Sequence, residues 1–151
     1  MTELAEAVTW RAFLRALADE IDGVSGAAAR DVLLRGVGRR MAATNPLPLS
    51  SDTQALTLEM NDRLAGWGWG NVSLRVSDTE RVLIITHAGL PGIGGAGDPP
   101  GTWLAAVLEG LYEAWLNALP GADPSLSIRR FRATAGHTVL QIRPGVANGP
   151  R

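Results

Sequence analysis

Two glutamates, two histidines, a glycine loop and five tryptophans are the residues of this chain whose types or spacing invite a chemical reading. Glu109 and Glu113 stand one helical turn apart, the spacing at which two carboxylates can share general-acid and general-base work. They also belong to the only polar stripe of an otherwise apolar segment, where water or an arginine across an interface would satisfy them, and that second role is the one we assign. His87 ends a strand-like run and His137 lies near a turn. Neither has a second histidine or a carboxylate at metal-ligand spacing in its own element, so both are expected to be structural and no metal site is nominated. Ser25, Ser50, Ser51 and Ser125 lack the G-x-S-x-G context of an activated serine. No catalytic residue is assigned, and the chain is read as a non-enzyme.

Gly92, Gly94 and Gly97 spell G-x-G-x-x-G after a strand-like run and before a helix. In a dinucleotide site those glycines occupy the tight strand-to-helix turn, and an acidic residue about 20 positions later reaches the ribose. Here Asp98, Pro99 and Pro100 intervene, the helix starts at Thr102, whose hydroxyl can cap it, and no strand ending in Asp or Glu follows. A glycine-rich turn that lets backbones approach closely is the better reading, and no cofactor is expected. Five tryptophans beside one tyrosine and two phenylalanines are an unusual aromatic balance. Trp10, Trp103 and Trp115 fall on helical stripes and read as core or interface anchors. Trp67 and Trp69 lie two apart among glycines, where an extended backbone would project both rings the same way. Such rings could meet the C–H faces of sugars, although packing is the favoured role even there.

The elements that must hold these residues follow from periodicity. Trp10, Phe13, Leu14, Leu17 and Ile21 recur at helical spacing and Gly23 stops that helix; Ser25 then caps a second one marked by Val32, Leu33, Leu34, Val37 and Met41. It ends before Asn45-Pro46-Leu47-Pro48, because a residue preceding proline avoids helical geometry. Asp52 caps a third helix carrying Leu56, Met60 and Leu64 inward. The period then changes to two: Val72, Leu74 and Val76 alternate with polar residues, and across Ser77-Asp78-Thr79-Glu80 the run from Arg81 to Thr86 completes a hairpin. From Thr102 to Leu119 the sequence predicts a helix apolar almost all round, with only Glu109, Glu113 and Asn117 polar. Leu126 to Arg132 and Thr138 to Arg143 form a second hairpin turning near Ala135-Gly136. The expected class is α+β, with N-terminal helices and one long apolar helix against a small antiparallel sheet of two hairpins, a single domain over 1–151 whose last residues, 144–151, form a loose tail.

A helix apolar on nearly every side must be covered on every side, and a domain this small is expected to need a second subunit for part of that cover. Trp103, Leu104, Val107, Leu108, Leu111, Tyr112 and Trp115 are accordingly the expected oligomer interface. Composition points the same way, since 46% of residues are hydrophobic and 19% charged, against a usual charged share of about 25%. With 151 residues the chain can bury one sizeable core. Net charge is -1 and all 14 basic residues are arginine, so no electrostatic footprint for nucleic acid exists; the clusters Arg39-Arg40 and Arg129, Arg130, Arg132 read as solvated faces or ion pairs. The absence of cysteine excludes disulfides and thiolate chemistry. Glu3 and Glu6 stand where a secretory signal wants positive charge, and no apolar run approaches the roughly 18 residues of a membrane span, so a cytoplasmic protein is expected.

Several segments carry a family resemblance. Glu20-Ile21-Asp22, LLRGVGRRMA from Leu33 to Ala42, Leu58-Glu59-Met60-Asn61, Trp69-Gly70 with Val72 and Leu74, His87 with Leu90-Pro91, and above all AGDPPGTWLAAVLEGLYEAW followed by Pro120-Gly121-Ala122 resemble the cellulose synthase operon protein D family, an accessory component of bacterial cellulose synthase. The match runs in order from Phe13 to Ala122 and weakens from Leu126 onward. What the resemblance implies is a non-enzymatic accessory subunit forming a cylinder-shaped homo-octamer, with passages for nascent β-1,4-glucan chains, that aids extrusion and crystallisation while a membrane synthase makes the bonds. It further implies membrane synthase subunits and other operon accessory proteins as partners, a place near the inner-membrane synthase that is either cytoplasmic or periplasmic, of which the charge at Glu3 and Glu6 favours the cytoplasmic, and a glucan passage at the N-terminal segment. Met1, Thr2, Glu3, Leu4 and Ala5, with Trp67 and Trp69, are therefore the candidate glucan contacts. A scaffold that organises synthase complexes without touching glucan is the alternative function.

Overall fold

The computed structural model of the chain describes residues 2–48, 52–77, 79, 82–89, 104–119, 127–134 and 137–143, and the side chains of residues 2–11, 127, 129–134 and 137–143 fall outside that description. Helix α1 spans Thr2–Thr44 and α2 Thr53–Trp67; strands β1 (Asn71–Ser77) and β2 (Val82–Ala88) follow, then α3 (Leu104–Asn117), β3 (Ser127–Thr134) and β4 (His137–Arg143). The four strands form one antiparallel sheet in the order β1-β2-β4-β3, so the two expected hairpins join through β2 and β4, with α3 as the crossover between them.

The first two expected helices are divided at Gly26 and not at Gly23 to Ser25. Gly26 has φ 82° and ψ 167°, a conformation in effect reserved for glycine, and it bends α1 into two arms. Ser25 is thus a helical residue of the first arm and not a cap. The bend is sharp: Ala18 and Leu34 share a cluster with Leu104, Ala106 and Val107, although 16 residues of straight helix would separate them by roughly 24 Å. Arg30 of the second arm reaches back to Asp22 of the first at 2.9 Å, clasping the bend.

Asp52 caps α2 as its sequence context requires, accepting from the Gln54 N–H at 3.0 Å, and Gly68 ends the helix in a left-handed cap. Leu56, Met60 and Leu64 point into the core. Asn61, on the neighbouring ridge, zips α2 to the outer edge of β1: its side-chain amide donates to the Val72 carbonyl at 2.9 Å and accepts from the Val72 N–H at 2.7 Å, as a paired strand would. On β1 and β2 the inward positions Val72, Ile85 and His87 are buried while Ser73 and Arg75 are exposed, the alternation of a sheet with one covered face.

Helix α3 is the centre of the molecule. Every residue from Leu104 to Tyr112 is buried. The second arm of α1 covers it: contacts advance in step along the two helices, from Leu34 beside Leu104 and Val107, through Gly38 beside Val107 and Leu111, to Ala42 in the cluster of Trp115 and Leu116. Two glycines permit this approach, since a Cβ on Gly38 would fall on the Val107 carbonyl oxygen and one on Gly110 on the Arg35 carbonyl oxygen. The sheet and α2 cover the remaining sides through Ile85, Val72, Met60 and Leu64. The expectation that a second subunit must supply part of this cover is therefore corrected. Leu104, Val107, Leu108, Leu111, Tyr112 and Trp115 are at most 4% exposed within one chain, so they form its core and not a waiting interface. The physical reason is the bend at Gly26 and the glycine-mediated contact, which let a small domain enclose this helix on all sides from Leu104 to Tyr112.

Candidate functional site

Each residue with chemical potential is held by packing from a neighbouring element. Glu109 is 4% exposed and meets Arg35 Nε at 3.4 Å; one turn on, Glu113 meets Arg39 at 3.8 Å. The arginines of α1 stand one turn apart opposite glutamates one turn apart on α3, a two-rung ladder along the glycine contact. The cations come from the same chain and not from across an interface. The two carboxylates thus flank a packed helix seam, each paired with an arginine of α1.

His87 is fully buried on β2 and both ring nitrogens are engaged. Its Nε2 lies 2.6 Å from the Trp69 carbonyl oxygen, which can only accept, so Nε2 carries the proton and Nδ1 accepts from the Tyr112 hydroxyl, also at 2.6 Å. Burial lowers the imidazole pKa below its ordinary 6.5 against the upward pull of the Trp69 carbonyl, and burial raises the Tyr112 phenol well above 10. A neutral, doubly bonded ring is a structural tie between β2, α3 and the segment after α2, as expected for His87. His137 begins β4.

The candidate aromatic platform has a different geometry from the one expected. Trp67 is the last residue of α2, not part of an extended run, and it stacks on Trp115 with centroids 6.1 Å apart and planes 14° apart. Trp69 meets Trp67 edge-on at 6.3 Å and 75°. Trp115 in turn donates from Nε1 to the Asn45 carbonyl at 2.9 Å. Trp67 and Trp69 are half-buried, and their planes, 75° apart, do not form one flat platform. Of the remaining candidates, Met1 and Trp103 lie outside the described residues, as do Gly92, Gly94 and Gly97; Thr2, Glu3, Leu4 and Ala5 are placed as the start of α1 by backbone alone. Among the described residues no group of three His, Asp or Glu side chains is arranged to hold a metal.

The surface that periodicity alone did not identify lies on α1. Phe13 (54% exposed), Leu17 and Val24 on the first arm, and Val32 (62%), Leu33 and Val37 on the second, are large apolar side chains open to solvent. Both arms bury one side, Ala18 on the first and Leu34 with Ala42 on the second, and leave these residues on the other. A signal for this was present: Val32, Leu33, Leu34 and Val37 are too many apolar positions for one face.

Among known proteins, the sequence profile of the cellulose synthase D-subunit family matches residues 1–143. The cellulose synthase operon protein D of Komagataeibacter xylinus is 45% identical over 122 residues, which cover 81% of this chain and 78% of that protein, and the protein of the same name from Komagataeibacter sucrofermentans matches to the same extent. A second Komagataeibacter xylinus protein of that name is 46% identical over 110 residues, 73% of this chain and 70% of its own length. With Glu109 and His87 buried and engaged in packing contacts, an apolar helix wrapped by its own chain, and matches of this length, the chain belongs to the cellulose synthase D-subunit family.

Proposed function

We propose that this protein is a non-catalytic accessory subunit of bacterial cellulose synthesis whose copies close into a cylinder-like ring, a homo-octamer, that guides nascent β-1,4-glucan chains toward extrusion and crystallisation. The observation that carries the assembly half of this reading is the exposed apolar array on α1, Phe13, Leu17 and Val24 with Val32, Leu33 and Val37. Large exposed apolar groups on a chain with few charges are where a second copy would remove most surface from water, at about 25 cal/mol per Å². The interface is thus moved from α3 to α1. Family membership supports cellulose synthesis as the process, with membrane synthase subunits and other operon accessory proteins as partners. Among the described residues no helix is long and apolar enough to cross a membrane; docking beside the inner-membrane synthase from the cytoplasmic side is the placement we propose.

The alternative is a scaffold that organises synthase complexes without binding glucan. One observation favours it: Trp67 stacks a face on Trp115 and stands at 75° to Trp69, which leaves less platform for a sugar. Light scattering across a dilution series tests the shared part, with a stable species near eight copies expected and a monomer at all concentrations refuting the ring. Calorimetric titration with cellohexaose then separates the two, since only the guiding ring binds it.

A further inference from the structure

Helix α2 and the outer edge of β1 diverge beyond Asn61 and open a groove of about 550 Å³, within the size range of small-molecule sites. Asn61, Thr57 and Thr53 lie on one ridge of α2 at four-residue spacing. At the closed end Asn61 occupies both backbone groups of Val72. Because alternate residues of an antiparallel strand aim their N–H and C=O to the same side, Leu74 and Val76 direct theirs outward along the same edge, where β1 has no strand neighbour among the described residues. The groove is walled by Asp52, Thr53, Gln54 and Thr57 from the helix and by Ser73 from the strand, with Ala55, Leu58 and Leu74 as its apolar parts. Leu58 is 71% exposed, an outward leucine on a helix that buries its other leucines. Thr57 donates to the Thr53 carbonyl at 2.8 Å, which leaves its oxygen lone pairs to accept from a ligand.

We propose that this groove is a binding site for a β-1,4-linked glucan segment, an inference that rests on the glucan-guiding reading above and assigns it a place. The lining suits a chain that is uncharged, dense in hydroxyls that both donate and accept, and apolar on its C–H faces. Hydroxyls of the ligand meet Gln54, Thr57, Ser73 and the outward backbone groups of Leu74, while sugar C–H faces rest on Leu58 and Leu74. A second copy of β1 fits less well. Asn61 already holds Val72, so a symmetric strand pairs only Leu74 with Val76 of its partner, and that register places Arg75 directly opposite Arg75, a repulsive arrangement.

The test uses the full-length protein in its native assembly state, titrated calorimetrically with cellohexaose and, as a control, maltohexaose. Gln54→Ala and Leu58→Asp alter exposed side chains and should leave fold and assembly mass unchanged. Each should weaken cellohexaose binding by about two- to ten-fold, the loss of one neutral contact, and the wild type should prefer cellohexaose to maltohexaose. Wild-type affinity in both variants would overturn the groove while leaving the guiding ring intact. No cellohexaose binding by the wild type would overturn the groove and the ring's glucan contact together. If amide exchange at Leu74 and Val76 slows with protein concentration and ignores cellohexaose, the edge belongs to a second copy and the proposal fails.

Discussion

Gly36 and Gly38 stand two residues apart in the same helical arm and should respond to the same substitution with opposite signs. Exchange of glycine for alanine in a helix interior gains about 1 kcal/mol, because the unfolded chain loses freedom and the helix gains propensity. At Gly36 nothing opposes the gain, since a new Cβ would meet only the Arg39 guanidinium, the end of a flexible side chain, at 3.9 Å. At Gly38 the methyl would lie 2.7 Å from the Leu111 nitrogen and closer still to the Val107 carbonyl oxygen. Both are helix backbone atoms that no rotamer change can move, so the arm must draw back from α3. Overpacking of this kind costs about 1–3 kcal/mol, and a radial gap of even ~1 Å forfeits up to half of each facing dispersion contact. With the upper end of that range set against the propensity gain, Gly38→Ala should be less stable by about 2 kcal/mol. For a domain of this size that lowers Tm by roughly 4–8 °C, whereas Gly36→Ala should raise it by roughly 2–4 °C. Thermal unfolding followed by circular dichroism at one fixed protein concentration, so that assembly does not confound the comparison, is the assay. A Tm for Gly38→Ala at or above wild type would refute the close packing of α1 on α3, and with it the claim that one chain covers its own apolar helix.

Three further outcomes are expected. Gly26→Ala forces a β-carbon into a backbone region that costs about 1–3 kcal/mol and so favours a straight α1; proteolysis of the first arm should accelerate, and unchanged protection would remove the bend. Because burial lowers the His87 pKa, the unfolded chain binds a proton at higher pH than the folded one, so stability should be full above about pH 6.5 and fall below it by at most about 1.4 kcal/mol per pH unit; urea titrations of wild type and His87→Phe that show the same slope between pH 6.5 and 5 would contradict this. Leu33→Asp or Val37→Asp should disperse the assembly while changing the stability of the single chain by no more than about 0.5 kcal/mol, whereas Leu111→Asp, which buries a charge in the core, should prevent folding; equal light-scattering masses for wild type and Leu33→Asp would acquit α1 of the interface.

The elements were legible wherever local chemistry decides them. Asp52 could be recognised as a cap because its side chain answers a backbone N–H two residues away, and β1 because Val72, Leu74 and Val76 keep a period of two. What local chemistry does not encode is who covers whom. Glycine within a helical pattern reads as a stop, so Gly23 and Gly26 compete for the break, and only the packing of Ala18 against Leu34 and Leu104 decides for Gly26. Gly38 and Gly110 carry no periodic signal at all, yet their missing side chains set the distance between α1 and α3. The pairing of Arg35 with Glu109 was half visible: the need for a cation was clear, its source was not. The joining of the hairpins through β2 and β4 depends on the crossover by α3, a contact distant in sequence that no window of neighbouring residues reports.

The burial of α3 changes what the low charge content means. Had that helix lain open, the scarcity of charged residues would have been accounted for by a single interface on it. With α3 enclosed, the remaining apolar excess lies elsewhere, and among the described residues most of it is found on the two arms that do the enclosing. Each arm buries Ala18 or Leu34 on one side and exposes Phe13 and Leu17, or Val32, Leu33 and Val37, on the other. The bend at Gly26 links the core to the proposed ring, because the geometry that lets the arms reach Leu104 and Val107 would also set the angle at which their outer faces meet a second copy. The Asp22–Arg30 clasp lies at that bend. Loss of the clasp should therefore alter assembly geometry before it alters the core, with the distribution of assembly masses shifting at a protein concentration where the circular dichroism of the chain is unchanged.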